Sequence, residues 1–519
     1  MSFESAFIAL FAIATPVALA AARLRIPYTV ALVLVGLGLG ATHLVSAPHL
    51  TKSLLYAVFL PGLIFEASFH LDGKRFVQNA AAIGALAVPG MLVSAALIAP
   101  LVAWAISSLH FTAGFGFAQG LLFAALIVAT DPIAVVGLFK TLGVPKRLAT
   151  LVEGESIFND GTAVAFYSVV LAATTGTQMS LPRAILDFFA IAGIGLAVGG
   201  SLGFVVSRVM RRVDDPMIEI TLTTIAAYGS FVAAEGVGAS GVIATATAGL
   251  ICGHQVASAG GNASARLAVH SFWEYVAFGL NSIVFLLIGL EVPLTSLLAS
   301  WKLIVVAWLI VTVVRALLVF VTSLGMWPTR ARWPWAWSLV LGWGGLRGAL
   351  SMVLALSLPS EFVHRELIVT MTFGVVVISL LVQGLTMSPL LGWLKIGGEH
   401  ASVTAAELAR ARLLAARAGL DALRAASKRT LPSDEVVGDI RGEYEQRVHE
   451  AEAEVVAATN HNDTPEAQAK RLRWKLVVAE KDALLDSRER GLTSSETVEP
   501  LLRACDARLF ELERTPDED

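Results

Sequence analysis

The sequence predicts an all-α polytopic membrane protein. It reads as about 13 transmembrane helices in two inverted six-helix repeats, with the fifth and twelfth helices interrupted, and a helical cytoplasmic tail. Three observations carry this reading. The chain of 519 residues is 56% hydrophobic and 15% charged, where a soluble domain carries about 25% charged residues; its mean hydropathy is +0.71. Apolar windows long enough to span a bilayer, about 20 residues each, recur almost without pause to residue 393. After Ile396-Gly397-Gly398 the composition turns to Ala, Leu, Arg and Glu.

Taken in order, the windows are 3–22, 28–46, 53–70, 79–107, 117–140, 152–175, 184–207, 217–235, 240–256, 271–291, 302–325, 335–358 and 366–393. Met1-Ser2-Phe3-Glu4 has no positive region ahead of its apolar run, so the first window reads as a span rather than a cleaved signal. The ninth is short and rich in Gly, Ala and Thr. Alternate loops hold Arg23, Arg25, Lys74, Arg75, Lys140, Lys146, Arg147, Arg208, Arg211, Arg212, Arg266, Arg330 and Arg332, and the opposite set only Lys52, Arg183, Lys302 and Arg365. Cytoplasmic loops carry the excess of Lys and Arg. With an odd number of spans the N-terminus lies outside and the C-terminus in the cytoplasm.

Two domains follow: a transmembrane domain over 1–398 and a cytoplasmic helical domain over 399–519. In the second, periodic stretches at 403–428, 435–459, 465–489 and 495–514 read as amphipathic helices, with a modest apolar face from Trp474, Leu476, Leu484 and Leu485. Assembly or regulation is the expected role, with an unknown regulatory ligand. His449 and His461 read as surface residues rather than a metal pair. Cys252 and Cys505 lie far apart and indicate no disulfide framework. A net charge of −3 argues against nucleic acid as a partner.

The fifth window breaks at Thr130-Asp131-Pro132, where Pro132 lacks an amide hydrogen. The twelfth breaks at Gly342-Trp343-Gly344-Gly345-Leu346-Arg347-Gly348. If six spans repeat around a seventh, the two breaks occupy matching places in halves of opposite orientation. Interrupted helices so placed point to a transport site at the membrane midplane.

The sixth window holds Gly154-Glu155-Ser156-Ile157-Phe158-Asn159-Asp160-Gly161. A charge at the bilayer centre costs about 2.5–3.5 kcal/mol on insertion scales and marks a functional site by default. Ser156 and Asp160, four apart, share a helix face, as do Glu155 and Asn159 beside them. A hydroxyl and a carboxylate make a half-cage for a small hard cation. Asp131 and a freed backbone carbonyl at Thr130 complete the candidate set for the transported ion. A proton and a cation competing for Asp160, in a protein that opens alternately to each side, suffice for exchange. No cofactor is called for beyond the transported ions.

Arg347 needs a partner, and Glu155 is the expected one. Arg315 is either structural or faces a core carboxylate. Glu66 either lines a cytoplasmic funnel or sits near the headgroups. Glu219, Glu274 and Asp187 fall near helix ends and read as such; His254 and His270 are candidate pH sensors. A cation channel is the rival class, but channels repeat a short filter by oligomeric symmetry. A membrane-embedded enzyme would need a nucleophile or a set such as His-Glu-x-x-His, and the sequence has none.

These residues carry a resemblance. Glu155-Ser156-Ile157-Phe158-Asn159-Asp160-Gly161-Thr162-Ala163, Thr130-Asp131-Pro132, Gly344-Gly345-Leu346-Arg347-Gly348-Ala349 and Leu24-Arg25-Ile26-Pro27-Tyr28-Thr29-Val30 resemble signature stretches of the sodium/proton exchangers of the NHE/NhaP type. The resemblance covers about residues 1–395. It implies a homodimer in the plasma membrane, crossed interrupted helices, and a mobile six-helix core moving against a dimerisation domain in an elevator-like cycle. It also implies Na+ or Li+ exchanged for H+, with pH homeostasis and salt tolerance as the setting. Asp160, Asp131, Ser156 and the Thr130 backbone would be the ion ligands. Glu155 with Arg347 would be a stabilising pair and Glu66 a funnel acid. Asn159 beside Asp160 implies electroneutral, one-for-one exchange. K+/H+ exchange is the alternative these motifs leave open.

Overall fold

In the computed structural model the described residues are 3–24, 26–42, 55–112, 114–175, 180–213, 215–258, 263–291, 294–327, 329, 331–397, 399–427, 434–459 and scattered positions between 473 and 508. Every regular element among them is a helix. The chain divides into two compact units, Met1–Gly398 and Glu399–Asp519.

Helices α1 (Phe3–Leu24), α2 (Tyr28–Thr42) and α3 (Leu60–Phe69) come first. The next, α4 (Gly73–Ala85), starts earlier than the apolar window at 79 because Asp72 caps it, accepting from the Lys74 and Arg75 amides at 3.0 and 3.2 Å. It runs through a π turn at Leu86–Gly90, where Pro89 removes a donor, into α5 (Met91–Ser108).

The expected break in the fifth window is present. Helix α6 (Phe117–Ile127) stops, and α7 (Ile133–Leu142) starts after Pro132 and ends on Gly143 in the left-handed conformation, φ 64°. Helix α8 (Lys146–Thr174) carries Glu155, Ser156, Asn159 and Asp160. Then follow α9 (Leu181–Met210), α10 (Pro216–Gly236), α11 (Gly241–Ser258), α12 (Ala263–Glu291), the short α13 (Leu294–Ala299) and α14 (Trp301–Met326). The short ninth window is thus a helix of 18 residues, α11. The twelfth window is also broken, into α15 (Trp335–Trp343) and α16 (Ala349–Leu356) around Gly344–Gly348. Helix α17 (Arg365–Ile378) passes through a π turn at Ser379–Gln383 into α18 (Gly384–Trp393).

Among the described residues, seven helices are long and apolar enough to cross a membrane by length and composition, α8 and α14 among them. Apolar helices of 10–17 residues accompany them, including Tyr28–Thr42 and Phe117–Ile127. The chain is a multi-pass membrane protein, with spans less uniform than the windows predict. Glycine sets the closest packing: a Cβ on Gly36 of α2 would strike the Leu286 carbonyl of α12, and one on Gly289 of α12 the Val33 carbonyl. Small residues allow such backbone approach between membrane helices. The core runs through α6, α8 and α16, with Phe123, Leu126, Leu151, Ala163 and Leu354 at 0% exposure or close to it.

In the second unit α19 (Glu399–Ser427) and α20 (Asp434–Thr459) pair antiparallel. Arg412 meets Glu454 at 2.9 Å and Arg417 meets Glu452 at 2.8 Å. Exposed pairs of this kind contribute about 0–1 kcal/mol each. His449 is exposed on α20. Most of the expected helices at 465–489 and 495–514, with His461, Trp474 and Leu485, lies outside the described residues.

Candidate functional site

The break between α6 and α7 leaves carbonyls with no helical partner. Side chains from two other elements take them. Asn159 Nδ2 donates to the Val128 carbonyl at 2.8 Å and to Thr130 Oγ1 at 3.0 Å. Arg347 Nη1 donates to the carbonyls of Val128 at 3.0 Å and Ala129 at 3.1 Å. Ser156 Oγ donates to the Thr130 carbonyl. Ser156 and Asn159 reach the same break because three residues of helix bring them to neighbouring positions on one face.

The second break lies against the first. The Asp131 amide donates to the Leu346 carbonyl at 2.8 Å. A Cβ on Gly348 would collide with the Asp131 carboxylate, so only glycine admits this approach. Asp131 Oδ1 also accepts from the Ile133 amide at 3.0 Å, capping the start of α7. The Arg347 amide donates to Ser379 Oγ at 3.1 Å, in the π turn between α17 and α18.

Asp160 closes the group from α8. The Thr130 amide lies beside its carboxylate, which interacts electrostatically with Asp131, Glu155 and Arg347. Its Oδ1 has no hydrogen-bond partner among the described residues, nor has Asn159 Oδ1. Thr130, Ser156, Asn159 and Arg347 are buried, whereas Asp131 and Asp160 keep partial exposure. Two carboxylates, two hydroxyls and a backbone carbonyl therefore gather with oxygen atoms still open. Hard cations take oxygen ligands of this kind, and a carboxylate takes a proton at the same atoms. The guanidinium of Arg347 also offsets the negative end of α6.

One expected pairing is wrong. Glu155 does not pair with Arg347; its partner is Arg315, in a two-pronged ion pair at 2.8 Å (Nη1 to Oε1) and 2.9 Å (Nη2 to Oε2). Arg315 Nη2 also donates to the Leu341 carbonyl at 3.3 Å. Arg315 on α14 thus ties α8 to α15, and Gly345 gives it room, with a Cβ there falling 3.0 Å from Arg315 Nε. Arg347 is satisfied by backbone carbonyls instead, which a sequence does not display as partners. Of the two roles open for Arg315, facing a carboxylate is the one found. Ser379 was missed altogether; a serine in an apolar span is its only sequence signal.

Glu66 on α3 lies one turn from His70, Oε1 to Nδ1 at 3.3 Å, and both are half-buried. The His70 ring is 4.9 Å from that of His270 on α12. Asp187 pairs with Arg183 at 3.1 Å near the start of α9, in keeping with a helix-end role.

Comparison with known proteins bears on the family and the fold. The family model described as "Sodium/hydrogen exchanger, transmembrane" matches residues 6–393. The chain is 38% identical over 379 residues to the Na+/H+ antiporter ApNhaP of Aphanothece halophytica, covering 73% of this chain and 71% of that protein. It is 30% identical over 518 residues to the Na+/H+ antiporter NhaS2 of Synechocystis sp., covering 98% and 93%. The fold is similar to that of the sodium proton antiporter MjNhaP1 from Methanocaldococcus jannaschii, with a TM-score of 0.63 at 21% identity over 76% of this chain and 98% of that one. With two broken helices meeting at Asp131 and Asp160 and a family match over most of its length, the chain belongs to the sodium/hydrogen exchanger family.

Proposed function

We propose that this chain is a secondary antiporter that exchanges Na+ or Li+ for H+ across the plasma membrane, one for one. It is a transporter and not an enzyme, and needs no cofactor. The observation that carries the reading is the convergence of Asp160, Asp131, Ser156 and Thr130 on two touching helix breaks, with Asp160 Oδ1 unpartnered among the described residues. The names of the relatives, Na+/H+ antiporters, support sodium as the cation. A proton or a cation neutralises Asp160, and each displaces the other. Asn159 is neutral and occupied as a donor, which leaves Asp160 as the carrier of the exchanged charge and supports electroneutral exchange.

The remaining features are part of the same reading. Thirteen spans form two inverted repeats, and the half containing the broken helices moves as an elevator against the rest. The Lys and Arg bias of the loops supports an external N-terminus and a cytoplasmic C-terminus. Helix α9 has only 22% of its most apolar stretch buried, a surface suited to lipid or to a second copy in a homodimer. Glu66 attracts cations on the cytoplasmic side.

The test is reconstitution in vesicles with an imposed pH gradient. Adding Na+, Li+ or K+ separately and following internal pH ranks the cations, and K+ alone driving protons would replace sodium with potassium. Asp160→Asn is expected to abolish exchange; an active variant would overturn the mechanism. A rate that changes when the membrane potential is clamped would contradict one-for-one exchange.

A further inference from the structure

The peptide group between Leu346 and Arg347 lies inside the second break, and it is held at both ends. Its carbonyl accepts from the Asp131 amide at 2.8 Å. Its N–H, which belongs to Arg347, donates to Ser379 Oγ at 3.1 Å. In a planar trans peptide these two groups point in opposite directions, so Asp131 and Ser379 grip one rigid plane from opposite sides. Ser379 in turn donates to the Val376 carbonyl at 2.8 Å. The Val376 carbonyl, the Ser379 hydroxyl, the peptide and the Asp131 amide thus form one hydrogen-bonded series, in which each bond polarises the next.

Ser379 is 1% exposed and opens the π turn between α17 and α18; single π turns inside α-helices are frequent at functional sites. A buried hydroxyl on a helix can be satisfied within its own helix, as Thr372 is: it is also on α17, fully buried, and donates to the Ile368 carbonyl at 2.8 Å. Ser379 makes such a local bond and in addition accepts from another element. The orientation of the plane it holds matters on both sides. Next to it, Gly348 is packed so closely on the Asp131 carboxylate that a Cβ would collide. The Arg347 side chain holds the Val128 and Ala129 carbonyls, immediately before Thr130 and Asp131. A tilt of the plane would therefore displace Asp131 and the carbonyls at the end of α6 together.

We infer that Ser379 is a positioning residue for the exchange site. Through the Leu346–Arg347 peptide it fixes Asp131 relative to the ligands on α8, and so sets the size of cation the site prefers. Selectivity between ions of one charge type follows cavity size and the flexibility of the ligands. A carboxylate that is no longer fixed closes poorly on the smaller Li+ and tolerates Na+ better. This rests on the antiport reading above.

Ser379→Ala removes the hydroxyl and leaves the Arg347 amide without its acceptor. In the vesicle assay it is expected to raise KM about threefold for Na+ and about tenfold for Li+, with kcat little changed. The ratio of the two KM values is the readout, because a loss of folded protein slows both cations alike and moves neither KM. Ser379→Cys keeps the volume, weakens the hydrogen bonds and should shift the ratio in the same direction; it carries the test if Ser379→Ala does not fold. Ser379→Thr keeps the hydroxyl and should restore both values. Thr372→Val removes a buried hydroxyl from the same helix and should leave both unchanged. A native ratio in Ser379→Ala and Ser379→Cys, an equal shift in Thr372→Val, or a Thr variant as impaired as the Ala variant would each overturn the inference. Asp160→Asn, run alongside, separates the two levels. If it is inactive while the Ser379 variants keep the native ratio, only the positioning role fails; if it is active, the antiport reading fails first.

Discussion

Glu155 is 2% exposed and Arg315 7% exposed, and each holds the other's charge with two hydrogen bonds. Removing one partner of a buried pair leaves an uncompensated charge, at about 3–5 kcal/mol. Arg315→Gln should therefore lower the melting temperature in detergent sharply. The double variant Glu155→Leu with Arg315→Met should recover most of the loss, because well-packed apolar replacements remove both charges together. If the single change is silent, the pair does not hold α8 to α14. The carboxylates, Ser156 and Asn159 were all legible as a set, since residues three and four apart on a helix share a face whatever the tertiary fold. The partner of Glu155 was not. Glycines around Arg347 signal close approach, and what approaches is a run of bare carbonyls at Val128 and Ala129.

At the scale of elements, the two breaks were readable from Pro132 and from the glycines of 342–348. Pro132 removes a donor, and glycine weakens a helix that it interrupts. What each break touches was not readable. Gly348 has an ordinary extended backbone, φ −126°; its constraint is the Asp131 carboxylate packed against it. Gly348→Ala should cost about 1–3 kcal/mol through overpacking and displace Asp131, so exchange in vesicles should be largely lost. Gly193→Ala on α9, where a Cβ meets nothing within 4 Å, is the matched control and should transport normally. Equal activity of the two variants would show that the contact between the breaks is dispensable. Helix starts shifted where a polar cap outran the apolar pattern, as Asp72 does for α4.

For the whole molecule, the division at Gly398 separates an apolar unit from one rich in charge. The α19–α20 hairpin has its own packing and its own ion pairs. Deleting residues 400–519 should leave Na+-driven proton movement intact in vesicles, with at most a shifted pH range. Loss of folded protein on deletion would place the tail within the transport fold. The similarity to NhaS2 over 98% of the chain includes this region, so the tail has counterparts elsewhere.

By itself the sequence determined the membrane class, the order of the helices, both interruptions and the residues gathered at the site. These depend on hydropathy, on the missing donor of proline and on helical spacing, all properties of neighbouring residues. Only the tertiary structure decided which charges pair and that the two breaks touch. Such contacts join residues more than a hundred positions apart, as Glu155 and Arg315 are, separated by 160. Many of them use backbone carbonyls, which every residue carries and no sequence pattern marks.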